Sequence, residues 1–449
     1  MIFVLNPYIL ANFGDFGKEN QAIFGLAWNK ELALLAVEVG TSCVIEKFRT
    51  KTCASDANSI QLSHLSNPTY MNFNRAIEPL IEKQLFKGKI IIIYGARQVG
   101  KTTLSKDLLK KHQIGGSLYL NCDEPDIKQS LENKTSTELK QIIGDKKLIV
   151  IDEAQRVRDI GITLKLLVDN FPEIQIIATG SSSFDLSNHI SEPLTGRSIE
   201  FRLYPISLLE LKQQYSEIEL SRLFERFLRF GNYPKVINSS PVEAPEIISA
   251  IAQNYLYKDI LAFEKLKNPE ILQKLLQALA LQLGQEVSYT ELANLLKINK
   301  ITVEKYIQIL EKSFVIFRLN PFSRNLRKEI SKMRKIYFYD LGIRNSLIKN
   351  FNELALRTDV GAMWENFCIA ERAKANTFNR KLVNTYFWRT QDQKEIDYLE
   401  EEGGKLKAFE FKWGEKKYKI PKEFIAAYPG TDIKVINKAN IWELIGGKS

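Results

Sequence analysis

No apolar run in this chain reaches the roughly 18 residues needed to cross a bilayer, so a membrane-spanning helix is not expected. Cysteine is scarce. Cys43, Cys53, Cys122 and Cys368 are all there are, and no two are spaced as CxxC. That pattern supports neither a disulfide framework nor a zinc knuckle, and it predicts a reducing, cytoplasmic compartment. Histidine is scarcer still. His64, His112 and His189 sit in no motif, so histidine-based catalysis is not expected. The opening stretch, Met1 to Leu10, is apolar but has neither a basic leader nor a small-residue cleavage site, and a secretion signal is not expected. Internal repeats and low-complexity tracts are missing as well.

What is present is length, apolar content and positive charge. A chain of 449 residues predicts two to four domains, and 45% apolar residues can fill their cores. The net charge of +10 favours an acidic partner such as DNA without establishing one.

Residues 1–70 show no sustained hydrophobic period, and regular text starts at Met71. The expectation is that 1–70 is a non-native or disordered N-terminal extension. From 71 to 205, short apolar runs alternate with amphipathic helical stretches. Strands are expected at Ile90–Tyr94, Ser117–Asn121, Leu148–Ile151, Ile174–Thr179 and Ile199–Leu203. This is the signature of a parallel sheet covered by helices. Residues 206–285 read as helical, 286–345 as a different unit, and 346–449 as a mixed α/β tail. The fold class is therefore α/β, with a parallel-sheet core first.

Gly95-Ala96-Arg97-Gln98-Val99-Gly100-Lys101-Thr102-Thr103 fits G-x-x-x-x-G-K-[ST] between an apolar strand and a helix. Glycines let backbone N–H groups turn inward around a β-phosphate. Lys101 supplies a point charge for the β/γ oxygens, the Thr102 hydroxyl a ligand for Mg²⁺, and the helix its positive end. Leu148-Ile149-Val150-Ile151-Asp152-Glu153 is an apolar strand ending in two acids. Asp152 is expected to hold the Mg²⁺, and Glu153 to orient and polarise the attacking water. Thr179 and Ser181, at the end of another strand, are candidate γ-phosphate sensors, or simply part of a small-residue turn. Arg197, in Leu194-Thr195-Gly196-Arg197, is a candidate transition-state arginine, acting in its own subunit or in a second copy of the chain. A surface ion pair is the alternative. The ligands implied are ATP and Mg²⁺.

These motifs resemble the bacterial and archaeal AAA-type ATPases that carry a C-terminal domain of unknown function. The resemblance runs from about Arg75 to the C-terminus. It rests on the phosphate loop, Ile151-Asp152-Glu153-Ala154-Gln155, Thr179-Gly180-Ser181-Ser182, Leu194-Thr195-Gly196-Arg197, Phe230-Gly231-Asn232-Tyr233-Pro234, Tyr257-Lys258-Asp259-Ile260 and Tyr339-Asp340-Leu341-Gly342. Asn232 departs from the pattern, which has a second glycine there. Residues 1–70 have no counterpart. The resemblance implies an AAA core at 71–205 and a helical lid at 206–285.

Glu286 to Leu319 reads as a winged helix, with Thr290 the expected cap of its first helix and Thr302–Lys312 its second. The following run, Arg324, Arg327, Lys328, Lys332, Arg334 and Lys335, faces only Glu329 and suits phosphates; a solvated loop is the alternative. In the tail, a strand at Glu395–Leu399 leads through an acidic turn, Glu400–Gly404, into Lys407–Lys412. Asp397, Glu410 and Lys412 on paired strands resemble the core of restriction-endonuclease-like nucleases, with Glu365 a candidate further ligand. The resemblance implies that the acids bind metal and that the lysine helps activate water. A cross-strand ion pair is the alternative. The leading expectation is an ATP-hydrolysing AAA-type ATPase acting on or near DNA. The alternatives are a nucleotide-dependent DNA nuclease and an ATP-gated switch that binds a protein partner.

Overall fold

Four successive isoleucines and a tyrosine have no polar face to show water, so Ile90–Gly95 (β1) must be covered on both sides. All six of its residues are buried. In this computed structural model β1 lies inside a five-stranded parallel sheet. The other strands are Ser117–Asn121 (β2), Leu148–Asp152 (β3), Gln175–Gly180 (β4) and Ser198–Leu203 (β5), in the order β2-β3-β4-β1-β5. The structure describes residues 71–112, 115–181, 194–254, 269–322, 334–414 and 418–446. They fall within one unit, Pro68–Ser449. Each of the five strands forms within one residue of the bounds that its apolar run predicts. Before β1 a short helix spans Glu78–Glu82, and Phe86 then takes a left-handed turn with φ 58.

The loop after β1 enters the helix Lys101–Lys111 (α1) through Gly100, whose φ of 100 suits glycine. Gly95 is fixed by space instead. A Cβ there would come within 2.2 Å of the Leu203 carbonyl oxygen on the neighbouring strand.

Beyond the first sheet the chain is helical through Glu217–Phe230 (α2), and a second, mixed sheet follows. Glu286–Val287 (β6) precedes the helices Tyr289–Leu296 (α3) and Lys300–Lys312 (α4). Ser288, not Thr290, caps α3, because its hydroxyl is placed to accept from the Glu291 N–H. Asn299 caps α4 in the same way. Then come Ile316–Pro321 (β7), Arg334–Phe338 (β8), the helix Val360–Phe378 (α5), Asn384–Arg389 (β9), Glu395–Glu402 (β10), Lys405–Phe411 (β11) and Asp432–Ile436 (β12). The strand order is β12-β11-β10-β9-β7-β8-β6. Parallel pairing of β7 with β9, Asn320 opposite Tyr386, carries the sheet across residue 345, where the sequence suggests a break. The acidic turn expected at Glu400–Gly404 is tighter: β10 runs to Glu402, and Gly403 and Gly404, with φ 55 and 76, make a two-residue hairpin.

Two of the quoted motifs meet in space. Asn232 N–H donates to Asp340 Oδ2 at 2.7 Å, and a Cβ on Gly231 would strike the same carboxylate. The Asn232 amide also donates to Ile206 O at 3.0 Å, so asparagine fits where the pattern has glycine. Tyr257–Ile260, Ser182, Arg324, Arg327, Lys328, Glu329 and Lys332 lie outside the described residues, as do residues 1–70.

Candidate functional site

Parallel strands all deliver their C-terminal ends to one edge of the sheet, and there the candidate residues converge. Lys101 is buried at the start of α1, and its ammonium donates to the carbonyls of Gly95 and Ala96 at 3.0 Å each. The Thr102 hydroxyl donates to Asp152 Oδ2 at 2.8 Å. Thr179 donates to the other Asp152 oxygen, and the Glu153 N–H donates to Thr179 Oγ1 at 3.1 Å. A hydroxyl and a carboxylate this close form an oxygen pair that suits a hard divalent cation, so the residues fit Mg²⁺. Thr103 and Gln98 are exposed and Arg97 is half-buried. A cleft of about 800 Å³ opens here, lined in part by Gln98–Thr103 and Glu153 and by Asn72, Pro234 and Asn238.

Glu153 holds a left-handed backbone, φ 52, unusual for a residue with a side chain and a feature that clusters at functional sites. Gln155, part of the quoted motif but given no role from the sequence, joins the Glu153 carboxylate to a sensor candidate. Its amide donates to Glu153 Oε2 at 2.5 Å and to Ser181 Oγ at 3.1 Å. Tyr119 was also missed. Its hydroxyl donates to Asp152 Oδ2 at 2.5 Å, and burial, then the Asp152 carboxylate, raise its pKa. Neighbouring strands β2 and β3 bring the two together, and the sequence alone carries no signal of that pairing.

Arg75 was missed as well. It is buried and donates to Val99 O at 2.6 Å, Tyr204 O at 2.7 Å and Glu210 Oε1 at 2.9 Å. It therefore ties the phosphate loop to a carboxylate 135 positions away. Burial opposes charge on Glu210, but Arg75 and the N–H groups of Ser207 and Ala76 outweigh it and lower the pKa.

Arg197 is not brought to this edge. Its carbonyl accepts from Ile90 N–H at the start of β1, and its guanidinium pairs with Asp169 at 2.6 Å, both side chains 40% exposed. The loop lies at the other end of β1, about 17 Å away at the usual rise per strand residue. Within one chain Arg197 forms a surface ion pair at the end of β1 remote from the loop.

The second centre lies on one face of the second sheet, under α5. Strand residues two apart share a face, which places Lys335 with Tyr337, Glu395 with Asp397, and Glu410 with Lys412. Lys412 donates to Glu410 Oε1 at 2.5 Å, and the Phe411 N–H donates to Asp397 Oδ2 at 2.9 Å. Glu365 of α5 joins Glu395 and Asp397, with one oxygen from each within 4.8 Å of the others. Burial, then the charges of Glu365 and Glu410, push the Asp397 carboxyl well above the usual range. Burial also raises the Glu410 carboxyl, against the opposing charge of Lys412. Glu395 escaped the sequence reading. Lys335 belongs to the basic run expected to suit phosphates, with a solvated loop the alternative, and the structure corrects both for this residue: its side chain is 1% exposed and donates to Glu365 Oε1 at 3.0 Å and to Glu395. Arg334, from the same run, stacks over the Tyr289 ring at 5.3 Å.

Comparison with known proteins adds to this geometry. Residues 87–212 match the model of an AAA domain. This segment is similar to an AAA domain, and all five strands of the first sheet lie within it. Residues 221–354 and 360–443 match two domains of unknown function, DUF8612 and DUF4143. An uncharacterised protein of Mycobacterium tuberculosis is 28% identical over 341 residues, covering 74% of this chain and 72% of that one. An uncharacterised protein of Methanocaldococcus jannaschii is 28% identical over 344 residues, covering 71% and 74%. Among solved structures, Pif1 helicase from Candida albicans aligns over 40% of this chain and 48% of its own at 16% identity, with a TM-score of 0.23, too low to bear on function. Among the described residues no helix is long and apolar enough to cross a membrane.

Proposed function

We propose that the chain binds ATP with Mg²⁺ beside Gly95–Thr103 and hydrolyses it. The observation that carries this reading is the convergence of Lys101, Thr102, Asp152, Glu153 and Thr179 on one sheet edge. Loop N–H groups and the start of α1 hold the β-phosphate. Lys101 exchanges its contacts with loop carbonyls for β/γ oxygens. Mg²⁺, held by Thr102 and Asp152, would offset phosphate charge. Glu153 orients and polarises the attacking water, with Gln155 and Thr179 setting its position. Lys101→Ala should weaken ATP binding at least about 10²-fold, read by displacement of a fluorescent nucleotide, because a charge-assisted contact to the phosphates is lost. Parental affinity in that variant would sink the assignment.

The finer architecture we propose is an AAA core, a helical lid, a winged helix at α3–α4 and β6–β8, and a nuclease-like tail. Action on or near DNA is supported by the net charge of +10 and by the exposed Lys300 and Lys305 on α4. Exposed Leu295 and Ile301 at the turn between α3 and α4 favour the competing protein-partner reading. Salt separates the two. Duplex DNA should bind with log affinity falling against log salt by about 0.9 per phosphate contact. A chain that binds no duplex at low salt gives the role to a protein partner.

A further inference from the structure

The second centre collects four carboxylates, and their neutralisation is visible in the structure. Glu365 Oε1 accepts from the Lys335 ammonium at 3.0 Å and from the Tyr337 hydroxyl at 2.6 Å. Glu395 accepts from Lys335 through one oxygen, and its other oxygen lies 3.5 Å from Arg389. Asp397 takes the Phe411 N–H, and Glu410 takes Lys412. Among the described residues, Glu410 Oε2 is a fully buried oxygen with no hydrogen-bond partner.

The acids alone fit a divalent cation. The residues around them do not. An ion bound by Glu365, Glu395 and Asp397 would take ligands at roughly 2.0–2.6 Å, but the Lys335 ammonium already bonds to two of the three, Glu365 and Glu395, and its charge acts on Asp397. Two cations cannot share that space, since their repulsion in a poorly hydrated site is large. Lys335 also has nowhere to withdraw. It leaves β8, is buried along its length, and lies 5.5 Å from the Phe387 ring.

We infer that Lys335 is the resident cation of this centre, standing where a catalytic metal would bind. The inference rests on the reading of these acids as a nuclease-like centre and narrows it. With Lys335 in place, Glu365, Glu395 and Asp397 recruit no divalent ion. The ammonium instead ties α5, through Glu365, to β8 and β10, and so holds the two parts of the second sheet together.

Mn²⁺ titrated into the nucleotide-free full chain, followed by electron paramagnetic resonance, tests this. The wild type should show the same Mn²⁺ binding as Asp397→Asn. Lys335→Met, checked for folding by circular dichroism, should gain one site at least about 10²-fold tighter, because the competing charge is gone. Adding Asp397→Asn to Lys335→Met should abolish that site. A wild-type site that disappears in Asp397→Asn would overturn the inference while leaving the nuclease-like reading intact. A folded Lys335→Met that gains no site would overturn both. Should Lys335→Met fail to fold, the comparison of wild type with Asp397→Asn decides alone.

Discussion

Glu153→Gln should keep nucleotide affinity near that of the parent and lose turnover by about 10²-fold or more. The substitution is nearly isosteric, so the left-handed backbone at φ 52 and the N–H contact to Thr179 are kept. The Gln155 amide still finds an oxygen to donate to. What disappears is the negative charge that polarises water. Loss in the chemical step without loss in binding marks a group whose work is done in the transition state. Rates of phosphate release and a nucleotide titration on the same preparation read the two effects apart. Parental turnover in Glu153→Gln would remove this residue from the mechanism.

Arg75→Ala should destabilise the chain by roughly 3–5 kcal/mol, the usual cost of stranding one partner of a buried ion pair. Glu210 would keep its bonds to Ser207 and Ala76 but lose its counter-charge, and two carbonyls, Val99 O and Tyr204 O, would lose their donor. One of those carbonyls belongs to the phosphate loop, so ATP affinity should fall along with the denaturation midpoint. Lysine should rescue little, because Arg75 uses three separate nitrogens in a planar fork. The pH dependence follows from Glu210. Its carboxyl is held below the usual range in the folded state, so its contribution is present above the unfolded value and is lost as pH falls through the folded one. Arg75→Ala should flatten that acid limb. A variant as stable as the parent would show that the pair is dispensable.

The parts of the fold legible in the sequence are those written in contiguous strings. The five apolar runs of the first sheet, the phosphate loop and the paired acids Asp152-Glu153 each occupy adjacent positions, where period and residue type suffice. Arg75 and Glu210, or Lys335 and Glu395, are charged residues that read one at a time as solvated surface. Only the tertiary structure brings them together, 135 and 60 positions apart, and burial then changes what their charge does. The same reason hid the continuity of the second sheet. Two residues of parallel pairing between β7 and β9 leave no mark in either strand's own pattern. Arg197 shows the converse. A glycine turn before an arginine suggested proximity to phosphate, whereas the direction of β5 puts that turn at the far edge of the sheet.

The central claim is that the sheet edge at Lys101, Asp152 and Glu153 hydrolyses ATP. Phosphate release by the full chain, with ATP and Mg²⁺ and then with ATP and excess chelator, tests it most directly. Release should be steady, stop when Mg²⁺ is removed and fall about 10²-fold in Glu153→Gln. Release that is unchanged in Glu153→Gln, or that persists in chelator, would contradict it.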